Sequence, residues 1–225
     1  LRVSCNCYFY ETGRLLGIHN MNLYCRLFGL GESTGIELGE QKGYLAGPDF
    51  RADIHGLDWQ ATDTIAAAIG QSDNAFTPLQ LGVYISTIAN GGNRYAAHLL
   101  LKVRDFSSRA DVLVTQPKQL NSAFLSEAHR LTVVNGMEQM VATSAEVSRY
   151  MRNVPVTVAG KTGTAQTFST TSNNAVFVAF APLKDPEIVV SCVIERGANG
   201  YNASWAAREV LDRYFGLATD EAPAE

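Results

Sequence analysis

Residues that staple or metallate a fold are scarce in this sequence. Its 225 residues include 4 cysteines and 4 histidines, and neither type clusters. Cys5 and Cys7 flank a single residue, too short a span for an ordinary disulfide, and no Cys-x-x-Cys occurs. The four thiols, with Cys25 and Cys192, are therefore expected to behave as small hydrophobes. His19, His55, His98 and His129 make no His-x-x-x-His pair, so neither a metal nor a cofactor is expected. A dominant charge is missing as well: 18 basic and 22 acidic residues leave a net charge of -4 with no basic cluster. That excludes the electrostatic footprint of a nucleic-acid or anionic-membrane partner. No apolar run reaches the roughly 18 residues that span a bilayer. The chain opens on LRVSC, without a methionine, basic region and apolar stretch, and so reads as the interior of something longer.

What is present suits one globular domain, with 46% hydrophobic and 18% charged residues. Three runs read as strands: VPVTV (Val154 to Val158), NAVFVAFAP (Asn174 to Pro182) and EIVVSCVIE (Glu187 to Glu195). Between the first two stands VAGKTGTAQ, which puts a single lysine, Lys161, on the sheet. Apolar residues recur at helical spacing from Asn6, followed by a glycine-rich connector from Phe28 to Pro48. Gly29-x-Gly31 within it is a poor dinucleotide fingerprint, since no strand precedes it and Glu32 would repel a phosphate. Thr77 as N-cap, Pro78 at the first helical position and Gly91-Gly92 as the stop define a buried helix. LLLKVRDF and VLVTQPKQL, between Leu99 and Leu120, read as paired strands. Ser126 caps a further helix, Ser204 begins the last one, and TDEAPAE is expected to be a disordered tail.

Three of these stretches share one likeness. KTGT at Lys161 to Thr164, TPLQLGVYISTIANGG at Thr77 to Gly92 and SCNCYFYETGRLLG at Ser4 to Gly17 together resemble the transpeptidase domain of class B penicillin-binding proteins. The resemblance implies an α+β fold of the β-lactamase/transpeptidase kind, an antiparallel sheet flanked by helices plus a helical subdomain, here N-terminally truncated. Residues 1–98 would be the mainly helical subdomain, 99–218 the sheet and terminal helix, and 219–225 the tail. In that family the active site combines Ser-x-x-Lys, Ser-x-Asn and Lys-Thr/Ser-Gly. Two sequences spell the second element. Ser72-Asp73-Asn74 lies 161 - 72 = 89 positions before Lys161, inside IGQSDNAFTPLQL, and reads as a polar turn. Ser4-Cys5-Asn6 runs into the aromatic helix as the family's loop does, with Asn6 at 161 - 6 = 155 positions before Lys161, and is favoured. The first element is absent: Lys42, Lys102, Lys118, Lys161 and Lys184 are preceded at three positions by Gly39, Leu99, Thr115, Val158 and Ala181. The nucleophile is accordingly expected upstream of Leu1.

The resemblance implies a peptidoglycan D,D-transpeptidase working through an acyl-serine, inactive as these residues alone. Catalytic roles would fall to Ser4, Asn6 and Lys161, and substrate binding to Thr162, Gly163 and Thr164, with the Thr164 N–H as half of an oxyanion hole. Implied partners are peptidoglycan stem peptides and β-lactam antibiotics. The implied location is the extracytoplasmic face of a bacterial membrane, through an anchor not in these residues. A serine β-lactamase is one alternative, weakened because no Glu-x-x-Leu-Asn supplies a deacylating base. A non-enzymatic β-lactam sensor is another. In the family the strand matching Glu187 to Glu195 pairs with one from upstream, so this edge is expected to be covered by the upstream part of the domain or by another copy.

Overall fold

Period-two alternation builds the centre of the molecule. In Asn174–Ala181 the side chains of Ala175, Phe177, Ala179 and Ala181 enter one buried cluster while Val178 and Phe180 enter another. A strand covered on both faces has to be apolar at nearly every position, which is what the run NAVFVAFA provides. Phe177 and Phe180 are both fully buried, each stabilising the fold by about 1.5 to 3 kcal/mol relative to exposure.

The computed structural model describes residues 1–167 and 172–217. The expected disordered tail, 219–225, lies outside the described residues. The elements in chain order are α1 (Asn6–Leu16), α2 (Ile18–Leu27), α3 (Pro48–His55), α4 (Ala61–Ala67), α5 (Pro78–Ala89) and β1 (Asn93–Tyr95). Next come β2 (Lys102–Arg104), β3 (Asp111–Val114), β4 (Gln119–Ser122), α6 (Glu127–Thr143) and α7 (Ala145–Met151). The chain closes with β5 (Ala159–Ala165), β6 (Asn174–Ala181), β7 (Ile188–Ile194) and α8 (Tyr201–Tyr214). β5, β6 and β7 form an antiparallel meander with β6 in the middle, Lys161 opposite Val178 and Phe177 opposite Cys192. One face packs on α8 through Ala203, Ala207 and Leu211, and the other on α5 and α6 through Ile85, Ile88, Val134 and Met137. β5 and β7 are the two edges, and among the described residues neither outer edge carries a ladder partner.

The N-terminal helices are fixed by close contacts and polar pins. Gly13 on α1 is buried against α4, where a β-carbon would stand 2.3 Å from Ala68 Cβ. The glycine-rich connector is anchored by the buried Gln80, whose Nε2 donates to Glu32 O at 2.8 Å and to Lys42 O at 2.6 Å. Gln80 also completes the capping box of α5 with Thr77, as the Thr-Pro start predicts.

Several boundaries differ from expectation. Val154 to Val158 is not a strand: the ladder begins at Ala159, after a turn in which Asn153 has φ 68° and Pro155 offers no N–H. The last helix begins at Tyr201 with Gly200 as its N-cap, three residues before Ser204. Ser204 is buried inside the first turn, its Oγ donating to Tyr201 O at 2.6 Å. The segment Leu99 to Leu120 splits, since Pro117 interrupts the run: β2 and β3 pair with each other, while Gln119–Ser122 joins β1. The thiols are not all small hydrophobes of the interior, because Cys5 and Cys7 are exposed, while burial raises the pKa of Cys25 and Cys192.

Candidate active site

The free edge of β5 forms one wall of a cleft of about 860 Å³, within the size range of small-molecule sites. Lys161, Thr162, Gly163 and Thr164 line that wall. The opposite side is helical, with Ser4, Asn6, Phe9 and Tyr10 at the start of α1, and Ile65, Ala66 and Gln71 on and after α4. Ser4 has φ 49°, a left-handed conformation that costs a non-glycine residue energy, and its N–H donates to Leu1 O at 3.2 Å. That turn directs the chain into α1, with Asn6 as its first residue.

Lys161 is half-buried, and desolvation lowers its pKa from the ordinary 10.5. Its Nζ donates to Thr162 O at 2.7 Å. Gln71 Nε2 donates to Thr164 O at 3.0 Å. In a strand the N–H and C=O of one residue leave on the same side. The Thr164 carbonyl turns to the free edge to meet Gln71, so the Thr164 N–H also points out of the sheet toward the cleft. Thr164 Oγ1 accepts from the N–H of Gly200 at 3.1 Å, which leaves the hydroxyl proton free to donate.

The second Ser-Asp-Asn sequence occupies another setting. Asn74 Oδ1 accepts from Ala46 N at 3.0 Å, and its Nδ2 donates to Ala67 O at 3.3 Å and Gln71 O at 3.2 Å. Asp73 faces Arg51 and His55, each at 3.4 Å. Among the residues lining the cleft, neither Ser72 nor Asn74 appears. Ser4 and Asn6, by contrast, share the cleft with Lys161 to Thr164. Gln71 and Gly200 were missed by sequence reasoning, because each meets β5 across a long sequence gap, 93 and 36 positions, with no local pattern to announce it. Among the described residues no group of three or more His, Cys, Asp or Glu is placed to hold a metal ion.

The family model of the penicillin-binding protein transpeptidase domain matches residues 1–215. A peptidoglycan D,D-transpeptidase MrdA from Acinetobacter baumannii is 30% identical over 229 residues, covering 95% of this chain and 33% of that protein. Penicillin-binding protein 2A of Bacillus subtilis is 34% identical over 212 residues, covering 86% of this chain and 28% of that protein. The chain thus spans about a third of the length of these curated relatives. Among solved structures, the imipenem acyl-enzyme complex of penicillin-binding protein A from M. tuberculosis superposes with a TM-score of 0.81 at 25% identity, over 94% of this chain and 45% of that one. The mixed helix-and-sheet architecture is the one these domains share.

Proposed function

The chain belongs to the penicillin-binding protein transpeptidase family, and we propose that it supplies two of the three catalytic elements of a serine D,D-transpeptidase that cross-links peptidoglycan. A Ser-x-x-Lys segment outside these residues would supply the third. The observation that carries the reading is the single cleft in which Ser4 and Asn6 meet Lys161 to Thr164, although Asn6 and Lys161 stand 155 positions apart.

The reaction is acyl transfer. A serine hydroxyl attacks the peptide carbonyl, D-Ala leaves with the proton, and an amine of a neighbouring strand then takes the acyl group from the serine. The cationic Lys161 would draw the terminal carboxylate of the stem peptide into the cleft. Thr162 and Thr164 hydroxyls would hold that carboxylate; Thr164 has its proton to give, since its oxygen already accepts from Gly200. The Thr164 N–H, turned toward the cleft by strand geometry, would stabilise the oxyanion. Ser4 would relay the proton to the leaving nitrogen, and Asn6 would hold the amide of the donor peptide. Gly163 keeps the strand bare where substrate lies alongside it. A β-lactam would acylate the same serine; the mycobacterial relative forms an acyl-enzyme with imipenem. The site belongs on the extracytoplasmic face, with an anchor elsewhere in the polypeptide. The outer edge of β7 would be covered by another part of the same domain or by a second copy.

Labelled penicillin tests this on the full-length parent protein. The parent is expected to form a stable adduct, and Lys161→Ala and Asn6→Ala to slow its formation by about 10- to 1000-fold. Equal labelling of Lys161→Ala and wild type would overturn the assignment. Rapid hydrolysis of the label would make the protein a β-lactamase.

A further inference from the structure

Gln71 and the Ser72-Asp73-Asn74 turn are unclaimed by the transpeptidase reading, yet their hydrogen bonds converge on its oxyanion side. We propose that Gln71 is a positioning residue for acyl transfer, holding Thr164 so that its N–H faces the reacting carbonyl. The inference rests on the reading above and deepens it.

β5 needs such a support. On its cleft side no ladder partner is present among the described residues, and Gly163, immediately before Thr164, carries no side chain to restrict the intervening peptide. The ladder to β6 turns the Thr164 N–H toward the cleft, but it does not set the distance of that N–H from the opposite wall. Three contacts hold this edge in place. Gln71 Nε2 holds Thr164 O at 3.0 Å, Gly200 N holds Thr164 Oγ1 at 3.1 Å, and Lys161 Nζ holds Thr162 O at 2.7 Å. The first of these comes from the opposite wall of the cleft, so it sets the position of the oxyanion donor relative to Ser4 and Asn6.

Gln71 is itself aimed by the turn that follows. Its N–H donates to Ala66 O at 3.1 Å and its carbonyl accepts from Asn74 Nδ2 at 3.2 Å. Ser72 turns the chain with φ 65°. Asp73, with its side chain 6% exposed, ties the turn to Arg51 and His55 of α3. The sequence that spells a catalytic triplet is thus a bracket, and the residue in front of it is what the bracket presents to the cleft.

The test uses the full-length parent and a labelled penicillin, with the dissociation constant before acylation measured separately from the acylation rate constant. Gln71→Met keeps the length and removes the donor; Gln71→Glu keeps the shape and places acceptor oxygens against the Thr164 carbonyl. With the melting temperature unchanged, both are expected to lower the rate constant by about 10- to 100-fold. The dissociation constant should move less than about threefold, because the stem-peptide carboxylate site is intact. A merely structural staple would lose melting temperature and affect binding and rate together, and that result overturns the proposal. So does wild-type acylation by Gln71→Met, or by Gln71→Glu should the Met variant fail to fold. If wild-type parent takes no label at all, it is the transpeptidase reading that fails; normal labelling of wild type and variants alike refutes only the role of Gln71.

Discussion

A β-carbon on Gly200 would stand 2.3 Å from the carbonyl oxygen of Gly163 and 2.8 Å from its nitrogen. The N-terminal end of α8 is therefore pressed directly on the backbone of the strand that walls the cleft. Gly200 has φ -56°, a conformation open to any residue, so the demand for glycine here is one of space alone.

Gly200→Ala should accordingly be felt at the site. Either β5 shifts or α8 retreats, at a cost of about 1 to 3 kcal/mol, and the hydrogen bond from Gly200 N to Thr164 Oγ1 loosens. The expected result is a melting temperature lowered by several degrees together with slower penicillin acylation. A variant that melts and acylates like wild type would show that the strand has slack at this point.

Asn6 and Asn74 should fail in opposite ways. Asn6 is exposed in the cleft, so Asn6→Ala should leave the melting temperature nearly unchanged while slowing acylation. Asn74 makes three hydrogen bonds to backbone groups of its own neighbourhood, and Asn74→Ala should cost about 1 to 3 kcal/mol of stability. Thermal melts and acylation rates on both variants check this, and the reverse pattern would move the catalytic triplet to Ser72-Asp73-Asn74.

Lys161 gives an alkaline signature. Burial lowers its folded pKa below the ordinary 10.5, so between the lowered value and about 10.5 the unfolded chain binds more protons than the folded one. Stability from this group therefore rises with pH through that window. Lys161→Met removes the penalty, making the variant the more stable at neutral pH, and the gap should close by about pH 10.5. Urea unfolding from pH 7 to 11 measures it; a gap independent of pH would contradict the account.

Glu40 gives an acid one. Burial raises its pKa, but hydrogen bonds from Ser33 Oγ, Thr34 Oγ1, Thr34 N and Gly35 N outweigh that and hold it at about 2. A depressed folded pKa means stability fully present above 4.5 and lost as pH falls toward about 2. Because the carboxylate is largely open to solvent, the contribution is discounted to about 0.5 to 1 kcal/mol. Glu40→Gln should show that deficit at pH 7 and none near pH 2, by denaturant unfolding.

How much of this was readable in advance depends on whether the cause was local. The Thr77-Pro78 start of α5, the Ser126 cap of α6 and the apolar runs of β6 and β7 are set by their own residues, and they formed where pattern places them. β1 was not legible, because NRY has no strand pattern and pairs only because Gln119–Ser122 lies beside it. The Ser144 cap of α7 passed unnoticed directly after a longer helix. At the site, Lys161 to Thr164 and Ser4 to Asn6 were legible through their motifs. Gln71 and Gly200 act on Thr164 through one amide and one backbone N–H, and chemistry that any glutamine or glycine possesses leaves no trace in spacing.

The meander also has a temporal meaning. β5, β6, β7 and α8 succeed one another between Ala159 and Tyr214, so the main sheet and the helix packed on it close only short loops. The contact that joins the cleft walls, Gln71 to Thr164, closes 93 positions and gains nothing until both walls exist. The physics thus orders assembly, with the scaffold condensing first and the geometry of the cleft arriving after the rate-limiting barrier. Chevron analysis should give Phe177→Leu an intermediate or high φ-value and Asn74→Ala one near zero, so that damage to the turn behind Gln71 hastens unfolding without slowing folding. Equal φ-values at the two positions would mean that scaffold and cleft form together.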